Sequence, residues 1–206
     1  MPPLTKQRPT YSAKRLAEPP AVLQSLACLI IKALGWKLIE PPNRPARMLI
    51  VAYPHTSNWD GFYTLLTGLG LGLRAHWAAK DSLFFWPIGG LLKRLGGIPV
   101  NRRQRTGFVD QMVKRFASDP NCILIMAPEG TRRRTEGWKT GCYRIALAAQ
   151  VPLALGCVDY GRRQAGIVAY LTLSGNPAAD IATIASHYAD RSGKHPALAS
   201  PVRWLD

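Results

Sequence analysis

The stretch MLIVAYPHTSNWD, residues 48–60, decides the class of fold. Its first six residues, Met48–Tyr53, are almost wholly apolar, which predicts a short strand buried on both faces, as in parallel sheets. His55 follows this strand directly, and Asp60 falls at or just inside the next predicted helix. Because open α/β sheets bind ligands at the carboxyl ends of their strands, this strand-to-helix junction is the first candidate site.

Strands and helices alternate on either side of this stretch. Cys122–Ala127 repeats the pattern of a buried strand followed by polar residues. The alternation predicts an α/β fold: a single layered domain with a mostly parallel central sheet flanked by helices. The other predicted strands are Ile98–Val100, Leu153–Tyr160 and Ile167–Leu173, and the predicted helices are Trp59–Leu71, Ser82–Leu95, Thr106–Ala117, Gly141–Gln150 and Ala178–Tyr188.

Composition divides the chain into four parts. Residues 1–20 are a basic, proline-rich lead-in, and residues 21–40 are predicted to form an amphipathic N-terminal helix. Prolines 41, 42 and 45 separate this helix from the rest of the chain, because proline does not continue a helix. Residues 46–192 make up the α/β domain, and residues 193–206 are a C-terminal tail.

The composition excludes a disordered chain and points to an anionic partner. Apolar residues make up 47% of the 206 residues and charged residues 19%, which is enough for a sizeable core. Lys and Arg total 27 against 12 acidic residues, and the net charge of +15 suits nucleic acid, a membrane surface or a phosphorylated substrate. The four cysteines form no CxxC pair and have no zinc-ligand spacing from a histidine, so we expect reduced core cysteines and no metal site.

The apolar N-terminal helix has two interpretations. Its longest uncharged run, Pro19–Ile31, is 13 residues long and too short to span a bilayer comfortably. Gln24, Cys28 and Lys32 recur every four residues, which predicts a narrow polar stripe and a wide apolar face. The helix either packs on the domain or lies in a membrane interface with Lys32 and Lys37 near the head groups.

His55 and Asp60 form the first chemical pattern. A hydrogen bond from one imidazole nitrogen to Asp60 would fix the tautomer and leave the other nitrogen basic. The alternative is that Asp60 only caps the helix. The same His-x4-Asp spacing recurs at His76 and Asp81, but no buried strand precedes His76, so we interpret Asp81 as a capping or first-turn acid. For the remaining histidines, residues 187 and 195, we expect no catalytic role.

Two further polar groups follow predicted strands. Pro128–Arg134 places Glu129 and Gly130 before three consecutive arginines that could clamp a phosphate. A second basic group, residues 101–105, follows Ile98–Val100. If these strands are parallel neighbours, the groups converge with His55 on one sheet edge and form an anion-binding cleft equipped with a base.

Four motifs in this order resemble the glycerolipid acyltransferases of the 1-acylglycerol-3-phosphate acyltransferase (PlsC-like) type. Residues 55–60 (HTSNWD) resemble the first motif, His-x4-Asp, and residues 97–102 (GIPVNR) the second. Residues 128–132 (PEGTR) match the third motif, with Ala127 where an aromatic residue is usual. Residues 151–153 (VPL) resemble the fourth, with Leu155 in place of its second proline. The resemblance covers about residues 48–160.

The resemblance implies a catalytic dyad and an acceptor site. His55 would be the general base, held by Asp60, and the acceptor hydroxyl would attack an acyl thioester directly. Arg102, Glu129, Thr131 and Arg132 would bind the acceptor, and Gly130 would let the main chain approach it. The aromatic stretch Leu83–Leu92 either lines an acyl groove or is ordinary core.

The resemblance also implies the partners. The acyl donor would be acyl-CoA or acyl carrier protein, with no further cofactor. The acceptor would be a lysophospholipid, chiefly 1-acylglycerol-3-phosphate giving phosphatidic acid, or alternatively another lyso-lipid such as a lyso-aminolipid. Residues 21–39 would place the enzyme as a peripheral or monotopic protein on the cytoplasmic face of a membrane. Binding of nucleic acid is the alternative from another class, and it is disfavoured because the sequence contains no recognisable nucleic-acid-binding module.

Overall fold

A computed structural model describes residues 17–100 and 107–205. Within these ranges the chain forms seven strands, six α-helices and two short 3₁₀ helices, Asp81–Leu83 and Pro196–Leu198. The strands are β1 (Lys37–Ile39), β2 (Met48–Ala52), β3 (Ala75–Lys80), β4 (Gly97–Val100), β5 (Ile123–Met126), β6 (Leu153–Asp159) and β7 (Gln164–Leu171). The helices are α1 (Ala21–Ala33), α2 (Asn58–Gly70), α3 (Ile88–Arg94), α4 (Phe108–Ser118), α5 (Gly141–Ala149) and α6 (Pro177–Tyr188).

The seven strands form one sheet in the order β1-β7-β6-β2-β5-β3-β4. All neighbouring pairs are parallel except β6 and β7, which are joined as a hairpin and run antiparallel. The predicted α/β fold with a mostly parallel sheet is therefore confirmed. Strands β2 and β5 are direct neighbours in register, with Ile50 opposite Ile125. The loops after these two strands consequently leave the same edge of the sheet side by side.

The helices cover the two faces of the sheet unequally. Because parallel crossovers are right-handed, the connections that run from β2 to β3 and from β3 to β4 place α2 and α3 on one face. The connections that return from β4 to β5 and from β5 to β6 place α4 and α5 on the other face. This second face carries the larger core, which includes Phe116, Trp138, Ile145 and Ile184, all almost fully buried.

Helix α1 packs on the first face beside α2. Ala27 and Ile31 of α1, together with Trp36, form a small core with Val158 and Ala165 of the sheet. The predicted helix over residues 21–40 is shorter in the structure: it ends at Ala33, and residues 37–39 form strand β1. The physical reason is Gly35, whose φ of +78° turns the chain out of the helix. No helix among the described residues is long and apolar enough to cross a bilayer.

The segment between β3 and β4 differs most from its prediction. The helix predicted over Ser82–Leu95 is wrong in its first half, where the structure has one 3₁₀ turn, a non-helical stretch and then α3 from residue 88. Pro87 accounts for the difference, because it lacks an N–H donor and disfavours helical geometry in the residue before it. Strand β3, which contains His76, was not predicted. The basic group at 101–105 and residues 1–16 of the lead-in lie outside the described residues.

Candidate active site

Asp60 is fixed by the way in which helix α2 begins. Ser57 is the N-cap residue, and its hydroxyl accepts a hydrogen bond from the main-chain N–H of Trp59. The Asp60 carboxylate reaches back and accepts from the main-chain N–H groups of Thr56 at 2.6 Å and Ser57 at 2.7 Å. This arrangement is a capping box, and it holds the Asp60 carboxylate beneath the loop, where only 2% of the residue is exposed.

The same carboxylate faces His55. The distance from His55 Nδ1 to Asp60 Oδ2 is 3.5 Å, at the outer limit of a hydrogen bond. A proton on Nδ1, directed at Asp60, leaves Nε2 as the basic nitrogen of the ring. The His55 side chain is partly exposed, while Asp60 is buried behind it. The two interpretations of Asp60, as a cap and as the acid that orients His55, are thus compatible in one geometry.

A tyrosine that no sequence motif singled out completes the surroundings of Asp60. The Tyr160 hydroxyl donates a hydrogen bond of 3.0 Å to Asp60 Oδ1, the oxygen that does not face His55. Burial opposes the negative charge of Asp60, but hydrogen bonds from His55, Ser57, Thr56 and Tyr160 outweigh it and hold the Asp60 pKa below its usual value. Asp60 is therefore a carboxylate at neutral pH and can stabilise a protonated His55.

Glu129 joins the His55 loop to the loop after β5. Its Oε2 accepts a hydrogen bond of 2.7 Å from the main-chain N–H of His55, and its Oε1 accepts one of 2.9 Å from the main-chain N–H of Ser200. Burial raises the Glu129 pKa, although both hydrogen bonds oppose this rise. Glu129 was predicted to bind the acceptor. Because both of its oxygens hold main-chain segments and the residue is 1% exposed, the geometry favours a positioning role.

The remaining predicted acceptor residues come after Glu129 on the same loop. Gly130 has a φ of +64°, in the left-handed region that residues with a Cβ atom rarely adopt, so this turn of the loop favours glycine. Thr131 accepts a hydrogen bond through Oγ1 from the N–H of Arg133. Arg132 is exposed beside it. The structure therefore brings Glu129 into contact with His55, and residues 130–132 follow on the same loop, while Arg102 lies outside the described residues.

The segment around Ser200, predicted as part of a tail, packs against both loops. The Ser200 carbonyl accepts a hydrogen bond of 2.8 Å from the Tyr53 hydroxyl, and the N–H of His195 donates to Thr56 Oγ1 at 3.2 Å. A Cβ atom at Gly193 would lie 2.8 Å from Thr56 Oγ1, so the segment rests directly on the His55 loop. Most of these contacts use main-chain atoms, which explains why no spacing of side chains in the sequence predicted them.

Comparisons with known proteins relate this chain to one family. The model of a family described as "Acyltransferase" matches residues 37–155. The 1-acyl-sn-glycerol-3-phosphate acyltransferase of Escherichia coli (strain K12) is 38% identical over 87 residues, which cover 39% of this chain and 35% of that protein. The crystal structure of the 1-acyl-sn-glycerophosphate (LPA) acyltransferase PlsC from Thermotoga maritima aligns with a TM-score of 0.41 and 19% identity, covering 65% of this chain and 54% of that one. The match thus spans about a third of the curated relative.

Proposed function

The chain belongs to the acyltransferase family, and we propose on this premise that it transfers a fatty acyl group from a thioester to the free hydroxyl of a lysophospholipid. The acceptor that we favour is 1-acylglycerol-3-phosphate, which would yield phosphatidic acid. The similar E. coli protein is described as an acyltransferase acting on this acceptor. Another lyso-lipid, for example a lyso-aminolipid, is the second candidate, since the Leu155 departure and the long run of arginines leave room for a different head group.

The observation that supports this proposal best is the junction of two loops through one buried carboxylate. Glu129 binds the main chain of His55 at 2.7 Å, so the base and the arginine-bearing loop are held next to each other. His55 alone could be an ordinary loop histidine, and the arginines alone could be a solvated surface. Together they supply a base and a cationic surface on adjacent strand ends, which is what attack by the hydroxyl of a phosphate-bearing acceptor requires.

In the proposed step, His55 Nε2 takes the proton from the acceptor hydroxyl as its oxygen attacks the thioester carbonyl. Asp60 stabilises the imidazolium that forms, and main-chain N–H groups near the second and third motifs stabilise the oxyanion. The carbon–sulfur bond then breaks, and the imidazolium returns its proton to the departing thiolate. The products are an ester and a free thiol, so no serine or cysteine nucleophile and no further cofactor takes part.

The acceptor phosphate would bind to the residues after Glu129. Arg132 is exposed on this loop and can form two parallel hydrogen bonds with a phosphate group. Thr131 offers a hydroxyl beside it, and the left-handed turn at Gly130 allows the main chain to come close. Arg102 would join them from the end of β4, as the resemblance implies. In this arrangement the arginines bind the head group, and Glu129 keeps their loop next to His55.

Helix α1 would hold the enzyme at the bilayer that contains its acceptor. Its face toward the sheet is buried through Ala27 and Ile31, while the opposite face exposes large apolar side chains. These exposed side chains are Val22, Leu23, Leu26, Leu29 and Ile30, continued by Leu34. Lys32 in the last turn of the helix and Lys37 at the start of β1 are exposed and could reach phosphate head groups. The protein would thus be peripheral or monotopic, on the cytoplasmic face where its thioester donor is made.

The test is release of free thiol from acyl-CoA and from acyl carrier protein, each with a panel of lysophospholipid acceptors. We expect release only with a matching acceptor, and a loss of about 10²–10⁴-fold in His55→Ala. The control is His187→Ala, which removes a half-buried histidine from α6.

The outcomes separate the alternatives. Release with a lyso-lipid other than 1-acylglycerol-3-phosphate would keep the mechanism and change the substrate. Wild-type activity in His55→Ala would show that His55 is not the general base. No release with any donor and acceptor, from a protein that unfolds cooperatively, would refute acyl transfer and favour a scaffold at the membrane.

A further inference from the structure

The crossover from β3 to β4 exposes a second apolar surface, separate from α1. Six large side chains between residues 83 and 95 are exposed, and Trp86 is 91% exposed. We name this surface the crossover patch. Its members are Leu83, Phe85, Trp86, Ile88, Leu91 and Leu95. So many apolar side chains on thirteen residues are unusual on a soluble face and mark a surface that is covered in the working protein.

The patch is not part of the hydrophobic core, because other residues of the segment hold it on the sheet. Phe84 stacks on Trp77 of β3, with ring centroids 5.8 Å apart. Gly89 is buried and lies so close to the Phe84 main chain that a Cβ atom there would come within 2.4 Å of the Phe84 carbonyl oxygen. Phe84 thus packs inward while its neighbours Phe85 and Trp86 point away from the sheet. No helix or strand among the described residues covers them.

The patch lies on the same face of the sheet as α1. Trp77, which holds Phe84, packs with the small core of Met48, Ile50 and Leu73 on the α2 side. Helix α1 rests over β6 and β7, whereas the patch lies over β3 and β4. The two strand pairs are four strand spacings apart, which at about 4.8 Å each separates the two surfaces by roughly 19 Å. Among the described residues, every large apolar side chain that is exposed lies on α1 with its cap, on α2 or in the patch, except Leu198.

Basic side chains accompany the crossover patch, as they accompany α1. Lys93 and Arg94 lie in the last turn of α3, and Lys80 ends β3; all three are exposed. Asp81 is the one acidic residue between Lys80 and Arg94. Long basic side chains beside apolar ones suit a surface where the apolar groups enter the acyl region and the cations meet anionic head groups.

We propose that the crossover patch is a second membrane contact, which binds an anionic bilayer together with α1. Two contacts on one face would hold the sheet at a fixed orientation, so that the His55 edge keeps one distance from the head groups. A single helix would leave the domain free to rotate about it. The proposal rests on the proposed function for the presence of a bilayer substrate, but it concerns binding and needs no turnover to be tested.

The experiment is co-sedimentation of the full chain with vesicles of phosphatidylcholine, with and without phosphatidylglycerol. The variant Phe85→Ser/Trp86→Ser changes two exposed side chains and leaves the Phe84 anchor intact. We expect it to bind vesicles at least about tenfold more weakly than wild type. Leu198→Ser, which changes an exposed leucine outside α1, α2 and the crossover patch, should bind like wild type.

A second variant tests the basic side chains of the patch. A separate measurement of turnover distinguishes membrane binding from the proposed acyltransferase function. Lys93→Gln/Arg94→Gln should weaken binding by about 10- to 30-fold with phosphatidylglycerol and little without it, because it removes two cations that an anionic surface attracts. On a short-chain lyso-lipid acceptor below its micelle concentration, Phe85→Ser/Trp86→Ser should retain wild-type turnover.

Three results would overturn the proposal. Unchanged vesicle binding in Phe85→Ser/Trp86→Ser would show that the crossover patch does not contact the membrane. Loss of turnover on the monomeric acceptor would identify the patch as part of an acyl groove. A wild-type dimer in solution that this variant converts to a monomer would identify a second copy of the chain as the occupant. If no variant or wild type has acyltransferase activity, the binding result stands on its own.

Discussion

His55–Asp60 and His76–Asp81 have the same spacing but opposite surroundings. His55 lies in a loop at the carboxyl edge of the sheet, partly exposed and facing a buried carboxylate. His76 lies within β3, is 6% exposed, and its ring nitrogens contact Arg115 Nη2 at 2.8 and 3.3 Å. Asp81 opens an exposed 3₁₀ turn and binds the N–H of Ser82, which confirms its prediction as a first-turn acid. The candidate base is thus distinguished from His76 by its position after the end of a strand, not by the distance in sequence to an acid.

The largest expected difference between the two pairs is in turnover. His55→Ala should reduce kcat by about 10²–10⁴-fold without loss of folding, because it removes a partly exposed base. His76→Ala should retain kcat close to wild type at a temperature where it is folded. The measurement is thiol release, with circular dichroism to confirm folding. If His76→Ala is the inactive variant while folded, the assignment of the two pairs is reversed.

The next difference concerns the two roles of Asp60. Asp60→Asn keeps a side-chain oxygen for the helix cap but removes the charge that stabilises protonated His55, so kcat should fall by about 10²-fold or more. Ser57→Ala is the matched control: it removes the cap hydroxyl, should cost about 1 kcal/mol of stability, and should leave kcat nearly unchanged. The double variant His55→Ala/Asp60→Asn should be no slower than His55→Ala, since the two residues act as a unit. If the losses in kcat of the two single variants instead add in the double variant, His55 and Asp60 act independently.

For His76 the expected effect is on the pH dependence of the free energy of unfolding. Burial, and then the charge of Arg115, lower the His76 pKa from 6.5 to about 4. Below pH 6.5 the unfolded chain takes up this proton while the folded chain does not, so stability is lost as the pH falls from 6.5 toward 4. From pH 7 to pH 5 this contributes a loss of about 2 kcal/mol. Urea unfolding of wild type and His76→Gln at both pH values measures it; equal losses in the two proteins would contradict the assignment.

The smallest expected effect comes from Tyr160, whose hydroxyl binds Asp60 of the first pair. Tyr160→Phe removes one hydrogen bond to Asp60, which should lower kcat by about three- to tenfold. It should also raise the Asp60 pKa, so the loss of activity relative to wild type should grow as the pH falls. Tyr63→Phe removes a hydroxyl from the same aromatic cluster and is the control. Loss of kcat with an unmoved pH profile would indicate a packing role for Tyr160.

The predictable parts of the fold are those in which local pattern and burial agree. MLIVA and ILIM are continuous apolar runs, and they became the two adjacent central strands β2 and β5. Strand β3, AHWAAK, has a histidine and a lysine in six residues, so its sequence carries no such run. It is a strand because it fills the space between β5 and β4, which is a property of the whole sheet.

The same distinction holds for the site. His55, Asp60 and the loop of residues 129–132 could be predicted because they come after recognisable strands, and the structure brings His55 into contact with both Asp60 and Glu129. The contacts with Ser200 and His195 could not, since they use main-chain N–H groups that every residue except proline carries. Tyr160 was likewise missed because its hydrogen bond to Asp60 spans 100 positions and belongs to no local motif. Their catalytic importance stays a prediction for the variants above.

The contact between Glu129 and Ser200 also bears on how the protein is made. A nascent chain that has emerged from the ribosome only as far as residue 192 contains both strand-end loops, but it lacks the N–H groups of residues 195 and 200 that bind Thr56 and Glu129. The apolar helix α1 emerges long before them. We therefore expect the His55 loop and the loop after β5 to take their final shape only after residue 200 has emerged, well after α1 has become available for folding or binding.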